Sequence, residues 1–152
     1  MALVVGLNTK SELPNTLFVQ RVRSNVVMTI QSIFEARVDV ARNLARTRYF
    51  GDITVAGMQE AVPRVEAMLA SLKPGFSIFA DFRDVASMGL DCVPQLTHIM
   101  DLCREHGIGM IVRRLPEPTR DIGINILSVV HYRGKVRTVT VDTVEEAERA
   151  LR

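Results

Sequence analysis

One stretch, Phe76 to Gly107, constrains the fold of this chain more than any other. It begins with an apolar run, Phe76–Ala80, that ends on Asp81. After a loop, a helix is predicted to begin at Asp91, a good capping residue, and to end at Gly107, which suits the left-handed position after a helix. A strand, a loop at its carboxyl end and a helix form one unit of an open α/β sheet. In such sheets, ligands and partners usually bind at the carboxyl ends of the strands.

Two strands and a helix are predicted before this unit. Apolar and charged residues alternate over Phe34–Val40, which is the period of a half-buried strand, and Leu44–Phe50 is a second strand. Because only a short turn links them, the two strands should form an antiparallel hairpin. Thr54 then caps a helix that runs to about Leu72. Pro63 lies inside this helix and is expected to kink it or to separate its first turn.

Strands and helices continue to alternate after this unit. Ile108–Val112 is predicted as an apolar strand, Thr119–Tyr132 as a helix and Val136–Val141 as the last strand. Thr143 and Glu146 have the spacing of a capping box, so a closing helix follows. Strands separated by helices imply a largely parallel sheet. The expected fold class is therefore α/β, with a mostly parallel sheet of about five strands, an N-terminal antiparallel hairpin and βα crossovers.

Residues 1–33 are predicted to form an N-terminal extension to an α/β domain that spans residues 34–152. The pattern before residue 33 fits both strand and helix spacings, and it carries too many apolar side chains for a solvated tail. We expect the extension to pack on the domain or on a second copy, and the second arrangement makes the protein a homodimer. Its apolar residues include Val19, Val22, Val26, Val27 and Ile30.

Composition and charge argue against several classes of function. The net charge is +2 and the basic residues are scattered, so no nucleic-acid partner is expected. No apolar run reaches the roughly 18 residues of a membrane span, and the apolar patch near the N-terminus is too short for a signal peptide. Cys92 and Cys103 lie ~16 Å apart along one predicted helix, beyond the limit of about 7 Å for a disulfide. Two unpaired thiols indicate a cytoplasmic protein.

The sequence offers no convincing catalytic or metal-binding pattern. His98, Cys103 and His106 do not all share one helix face, and a structural metal site usually needs four ligands. Cys92 has no histidine close in sequence to act as its base. Asp81 is better explained by hydrogen bonds to backbone amides than by acid–base chemistry. We therefore expect no enzymatic activity, no metal and no cofactor.

Several local sequences, together with the order of the elements, resemble one known family. Its apolar strand ends in Asp-Leu-x-x-Val, which is similar to Asp81-Phe82-Arg83-Asp84-Val85. Its first crossover resembles Gly51-Asp52, its central helix resembles Asp91–Gly107, and its closing strand and helix resemble Val139–Ala147. The family is the STAS domain, or SpoIIAA-like family of anti-sigma-factor antagonists, and the resemblance covers about Phe34–Leu151. It implies a SpoIIAA-like fold and a regulatory, non-enzymatic function.

The resemblance also implies a protein partner, such as an anti-sigma factor or a kinase-like regulator, that docks on the loop from Arg83 to Leu90 and on the exposed face of the following helix. The residues implied for this contact are Arg83, Asp84, Ser87, Met88, Asp91 and Cys92. Phosphorylated members of the family carry Asp-Ser-Ser-Gly at the start of the central helix, where this chain has Asp91-Cys92-Val93-Pro94. Because the accepting hydroxyl is missing, we expect no phosphorylation there. Ser87 is the nearest hydroxyl, and loop serines are more often simple turn residues.

A module that binds a lipid or another apolar small molecule is the alternative interpretation. Related βα folds hold apolar ligands between sheet and helices, as in CRAL-TRIO domains, and the seven methionines suit an adaptable pocket. The same residues also suit an ordinary core. His131, Tyr132 and Arg133 are the candidate contacts for an anionic lipid or a partner. Cations at the C-terminus of a helix explain this cluster more simply, because the helix dipole favours them.

Overall fold

The computed structural model of this protein describes residues 20–21, 27–28, 33–116, 132 and 134–152. The chain divides into two compact units, Met1–Gln31 and Ser32–Arg152. In the first unit, β1 (Gln20–Arg21) and β2 (Val27–Met28) form a short antiparallel pair. The other apolar positions of the predicted extension lie outside the described residues, and its packing on a second copy stays a prediction.

A sheet of five strands organises the second unit. Its strands are β3 (Phe34–Asp39), β4 (Leu44–Ile53), β5 (Ser77–Met88), β6 (Met110–Arg114) and β7 (Arg137–Val141). They lie side by side in this same order, with β3 antiparallel to β4 and every other pair parallel. The turn between β3 and β4 closes with a hydrogen bond of 3.1 Å from Asn43 N to Val40 O. The predicted α/β class, with its mostly parallel sheet and N-terminal hairpin, is confirmed.

Helices flank the parallel strands of this sheet. The described ones are α1 (Val55–Ala70), α2 (Val93–Glu105) and α3 (Val144–Ala150). As predicted, the Thr54 hydroxyl caps α1 by accepting a hydrogen bond from Gly57 N (3.0 Å), and Thr143 and Glu146 form a capping box at α3. Gly107 follows α2 with a φ of 91°, which is the left-handed conformation expected there. In the described part of the chain, none of the helices has the length and apolar character that crossing a bilayer requires.

The two faces of the sheet are covered unequally. One face packs against α1 and α2 and contains the larger core, in which the Tyr49 ring stacks on the Phe82 ring with centroids 4.6 Å apart. The opposite face carries a smaller buried cluster beneath α3, formed by Phe79, Val112, Val141 and Ala147. Because α3 is only 7 residues long, the charged side chains of β3 and β4 on this second face remain largely exposed.

The structure contradicts two sequence-based expectations, and a third concerns residues outside the described part of the chain. β5 does not end near Ala80 but continues to Met88, so most of the predicted loop from Arg83 to Leu90 is strand. α1 continues through Pro63 as a single helix, so the expected separation of its first turn is wrong. The predicted helix Thr119–Tyr132 lies, except for Tyr132, outside the described residues.

Candidate functional site

The carboxyl-terminal half of β5 extends beyond its neighbour β6. The last residue of β6, Arg114, is opposite Asp81, whereas β5 continues to Met88 alongside β4. Phe82 and Val85 in this half stay buried in the larger core. Other side chains of the same half, and of the turn after it, are exposed or half-buried. We call these residues the β5-end surface: Arg83, Asp84, Ser87, Met88, Leu90 and Asp91.

Two bulges determine which side chains of this half face the solvent. β4 advances two residues from Arg48 to Phe50 while β5 advances three from Asp81 to Asp84, so β5 carries one extra residue. Because of this extra residue, Phe82 and Val85, which are three positions apart, both point into the core. A second register shift follows directly after Gly51, whose φ of 72° is a conformation that glycine adopts without strain. The bulges therefore explain why polar and apolar residues do not alternate regularly here.

An exposed ion-pair network joins the β5-end surface to β3 and β4. Arg48 donates hydrogen bonds from Nε (3.2 Å) and Nη2 (2.9 Å) to Asp84 Oδ2. The Arg48 Nη1 atom also lies 3.6 Å from Glu35 Oε2, and its guanidinium lies 5.0 Å from the centroid of the Phe50 ring. The hydrogen bond to Asp84 is the main cause that raises the pKa of Arg48 above its ordinary value. Asp84 is thus fixed in position while it remains accessible.

Asp81 and Asp84 each have hydrogen-bond partners of their own. Asp81 Oδ1 accepts a hydrogen bond from Arg83 N (2.9 Å), as the interpretation of Asp81 as a backbone-binding residue predicts. Its Oδ2 lies 3.6 Å from Arg114 Nη1, and Arg114 Nε donates to Asp142 O (2.9 Å). Asp81 therefore holds together the strand ends of β5, β6 and β7.

Ser87 lies in β5 and not in a loop, opposite Asp52 of β4. Its hydroxyl donates a hydrogen bond of 2.6 Å to Asp52 Oδ1. A phosphate on Ser87 would replace this bond with repulsion between two negative groups. The position of Ser87 thus favours a role in holding the two strand ends together.

The turn after β5 places two side chains, one on each side of Asp91 in the sequence, in opposite environments. Leu90 is 83% exposed, whereas Cys92 is 1% exposed. Residues Leu90–Cys92 form a single 3-10 turn, and α2 begins directly after it. Asp91 was expected to cap α2, but it lies inside this turn, and Cys92 occupies the capping position without a side-chain hydrogen bond to the helix. The expectation that Asp91 is the cap is therefore wrong.

Cys92 is buried in the core, directly beneath Asp91 of the β5-end surface, whose Oδ1 lies 3.8 Å from the Cys92 Sγ atom. Its Sγ donates a weak hydrogen bond to Ile53 O (3.4 Å), at the end of β4. Burial raises the pKa of the Cys92 thiol, and the neighbouring Asp91 carboxylate raises it further. A nucleophilic cysteine needs a lowered pKa and an accessible sulfur. The surroundings of Cys92 provide neither, although this residue was predicted as a partner contact.

The second predicted cluster is described only at Tyr132. This side chain is buried, and its hydroxyl donates a hydrogen bond of 3.5 Å to Met100 O. Burial raises the pKa of Tyr132 well above its ordinary value. Tyr132 therefore packs with α2, while His131 and Arg133 lie outside the described residues. A ligand contact at this cluster stays a prediction.

The candidate metal ligands of α2 are directed to different places. His98 is exposed, Cys103 is buried, and His106 Nε2 lies 2.9 Å from Leu72 O. Among the residues that the structure describes, no group of three His, Cys, Asp or Glu side chains is arranged to hold a metal ion. The His106 ring packs edge-on against Phe76 and serves the core.

Two residues of the site were missed from the sequence: Arg48 and Asp52. For Arg48, the signal was its place on the charged side of β4, two positions before Phe50, whose ring its guanidinium covers. Asp52 lies at the strand end and was assigned only to the turn. Leu90 is the last residue of the loop that the sequence predicts as the partner contact, although it was not named as a contact by itself. None of these signals is specific without the register of β4 and β5.

An open depression beside α3 differs from the apolar pocket that the alternative function requires. It is lined by Val144 and four charged residues, Glu145, Glu148, Arg149 and Arg152. Charged linings suit water and ions better than an apolar ligand. Binding of an apolar small molecule therefore stays a prediction from the sequence.

Comparison with known proteins supports the fold of this chain. The structure of the phosphorylated form of the Bacillus cell fate determinant SpoIIAA matches it with a TM-score of 0.52 and 19% sequence identity. The match covers 78% of this chain and 99% of the SpoIIAA chain. No protein-family model and no curated protein matches the sequence. The chain has a SpoIIAA-like fold. At this identity, the likeness shows the fold alone.

Proposed function

We propose that this chain is a non-enzymatic regulatory domain that binds a protein partner through the β5-end surface. The partner is a regulatory protein of the anti-sigma-factor or kinase-like kind, and the complex forms in the cytoplasm. One observation carries the proposal: β5 continues past the end of β6 and presents Arg83, Asp84 and Ser87 toward solvent, next to the exposed Leu90. The SpoIIAA-like fold supports this location, because ligands of open α/β sheets bind at the carboxyl ends of the strands.

The chemistry of the surface favours recognition over catalysis. Asp84 is bound to Arg48, Asp81 to a backbone amide, and Ser87 to Asp52. Cys92 is buried, with a raised pKa. A surface of fixed charges around one exposed leucine suits a protein interface, in which an apolar anchor is surrounded by polar contacts.

Partner binding in this proposal does not depend on a phosphate at the start of α2. Cys92, Val93 and Pro94 offer no hydroxyl there. Ser87 has one, but its hydrogen bond to Asp52 places it beside a carboxylate that would repel a phosphate. We expect phosphopeptide mapping after incubation with cellular kinases to find no stoichiometric phosphate at residues 87–94. Such a phosphate would contradict this part of the proposal.

Quantitative affinity capture tests the proposal directly. The full chain and its variants are used as baits in an extract of the source cells, and bound proteins are quantified by mass spectrometry. We expect Arg83→Glu and Leu90→Asp each to lower capture of the same regulator about tenfold or more, because interface anchors dominate binding. Val144→Asp is the matched control for Leu90→Asp, since Val144 is 42% exposed and lies on α3. Equal capture by all baits, or turnover by the purified protein, would contradict the proposal.

A further inference from the structure

Two arginines lie directly opposite each other on the face of the sheet that α3 covers only in part. Arg37 of β3 is in register with Arg46 of β4, and Arg46 is next to Phe79 of β5, which belongs to the buried cluster beneath α3. Opposed residues of an antiparallel pair have Cβ atoms about 4.5–5.5 Å apart, and like charges at such positions destabilise the sheet. The pairing of two arginines therefore needs a nearby negative group to offset it.

The neighbouring row of side chains on the same face is balanced in charge. Its signs alternate from one strand to the next across β3, β4, β5 and β6, in the order Glu35, Arg48, Asp81 and Arg114. The first two of these residues lie 3.6 Å apart, and so do the last two. Like charges in direct opposition are thus a feature of one row and not of the whole face.

One carboxylate is shared by two arginines at this place. Glu148 of α3 accepts a hydrogen bond from Arg46 Nη2 through Oε1, and its Oε2 lies 3.5 Å from Arg42 Nη1. In the part of the chain that the structure describes, the exposed Arg37 takes part in none of the ion pairs of this face. Glu148 shows that an oxyanion fits between two of these guanidinium groups, while the third has no acidic group of its own.

The guanidinium of Arg46 carries a second, independent signal. Its Nη1 atom is buried, and it has no hydrogen-bond partner among the residues that the structure describes. A buried donor that stays unpaired destabilises a protein, and such atoms usually contact a bound water or ion. Arg46 therefore retains hydrogen-bonding capacity that the described protein groups do not use.

An oxyanion of the phosphate class suits this arrangement. The planar guanidinium fork donates pairs of parallel hydrogen bonds to phosphate oxygens, and a phosphate has enough oxygens to accept from more than one fork. Three arginines, Arg37, Arg42 and Arg46, face two carboxylates, Glu148 and Asp39. Asp39 also accepts a hydrogen bond from the backbone N–H of Arg42 (3.1 Å). Positive charge therefore remains in excess where the arginines meet.

The surroundings of these arginines favour a small soluble ligand over an extended polyanion. Glu35 and Asp39 are exposed on the same face, two positions before and two positions after Arg37, and Glu145 is exposed on α3. An anionic membrane or a nucleic acid spans a wide surface and is attracted by clusters of basic residues without such acids between them. A single phosphate group contacts the arginines alone and avoids these carboxylates.

We propose that Arg37, Arg42 and Arg46, which we call the arginine site, bind the phosphate group of a small soluble compound. Arg37 and Arg46 donate to it from opposite strands, and Arg42 contributes from the hairpin turn. The carboxylate of Glu148 competes with the ligand, because it is bound to two of the same guanidinium groups. The arginine site shares no residue with the β5-end surface, so its occupant does not depend on the protein partner.

Titration of the full chain with inorganic phosphate and with pyrophosphate tests the site. At constant ionic strength, nuclear magnetic resonance of the arginine Nε–Hε groups should show saturable shifts for the three residues of the arginine site. Arg37→Gln should weaken binding about tenfold or more, because it removes charge-assisted hydrogen bonds. Glu148→Gln should instead tighten binding, because it removes the competing carboxylate. Effects of opposite sign cannot both come from a loss of folding.

Two further variants separate recognition from general attraction of charge. Arg137→Gln removes an exposed arginine from β7, at the other edge of the sheet, where its register partner is Met110 and not a second arginine. This variant should bind both anions as the unchanged protein does. Arg37→Lys keeps the charge but loses the planar fork, so its affinity should lie between those of the unchanged protein and Arg37→Gln.

Vesicles that contain phosphatidic acid present the same phosphate chemistry on a membrane and should not sediment with the protein. Vesicle binding that depends on Arg37, without binding of the free anions, would overturn the assignment to a soluble ligand. The proposal would also be overturned if neither anion gave saturable shifts, or if Arg37→Gln and Arg137→Gln weakened binding equally. Shifts confined to Arg149 and Arg152, which line the depression beside α3, would place the anion elsewhere and overturn it too.

Discussion

The two halves of β5 belong to one strand but have different surroundings. From Ser77 to Asp81 the strand lies between β4 and β6, and Ile78, Phe79 and Ala80 are all buried. From Phe82 to Met88 it is paired with β4 and has passed the end of β6, and only its inward side chains are buried. The first half contributes to the core on both faces of the sheet. The second half uses one face for the core, and its other side chains are exposed or half-buried.

This difference separates stability from recognition within one strand. Replacing a residue of the first half should damage folding, whereas replacing an exposed residue of the second half should change binding alone. The bulges between β4 and β5 make the separation work, because they keep Phe82 and Val85 in the core while Arg83, Asp84 and Ser87 remain outside. The following predictions test this contrast, beginning with the largest effect.

Truncation in the first half should have the largest effect. Phe79 is 6% exposed in the cluster beneath α3, so Phe79→Ala should lower the free energy of unfolding by about 3–5 kcal/mol. Arg83→Ala, in the second half, should change it by no more than about 0.5 kcal/mol. Urea denaturation followed by circular dichroism measures both. Similar losses for the two variants would remove the contrast between the halves.

Thiol labelling should separate two positions at the end of the second half. Leu90→Cys should react with a maleimide at neutral pH at least about tenfold faster than the native Cys92, because Cys92 is buried and its pKa is raised. Mass spectrometry of peptides after short labelling times gives both rates in one sample. The rates should become similar once urea unfolds the chain. A fast reaction of Cys92 in the folded protein would contradict the buried position.

The bulge at Gly51 should be sensitive to the loss of glycine. The φ of 72° at Gly51 is unfavourable for side-chain-bearing residues, so Gly51→Ala should lower the free energy of unfolding by roughly 1–2 kcal/mol. A Cβ at this position would meet no atom within 4 Å, so steric conflict adds nothing. Gly51→Asn should cost less than Gly51→Ala, because asparagine adopts this conformation more readily. Equal effects of the two would show that another factor controls the bulge.

Removing the exposed ion pair should have the smallest effect on stability. Asp84→Asn breaks the pairing with Arg48, but solvent and salt screen this contact, so the unfolding curve should stay unchanged within error. A melting temperature that depends on Asp84 and loses this dependence at high salt would indicate a structural role for the network. If no such effect is seen, the role of Asp84 is tested by measuring how Asp84→Asn changes partner binding.

The sequence predicted most of the fold because most of its signals are local. Thr54, Thr143 with Glu146, and Gly107 mark helix ends through contacts with residues only a few positions away. The end of β5 was missed because its strand character depends on β4. Phe82, Val85 and Met88 are spaced by three, which suggests no strand until the bulges are known.

The candidate site was also predictable only in part, because local sequence does not reveal contacts between strands. Arg83, Asp84 and Ser87 were found from the resemblance and lie at the surface, as a contact requires. The partners that hold them, Arg48 and Asp52, come from another strand and follow only from its register. Cys92 was placed on the surface because α2 was expected to begin at Asp91, whereas the 3-10 turn directs its sulfur into the core.

Site-specific photo-cross-linking in living cells tests the central claim most directly. A photoreactive amino acid replaces Leu90 in the β5-end surface or, in a matched control, Val144 on α3. We predict that illumination joins the Leu90 variant to one regulatory protein, and that the Val144 variant gives no such product. Addition of Arg83→Glu to the Leu90 variant should strongly reduce the product. The absence of a protein adduct at position 90, or equal adducts at positions 90 and 144, would contradict the claim that this end of β5 is the partner-binding surface.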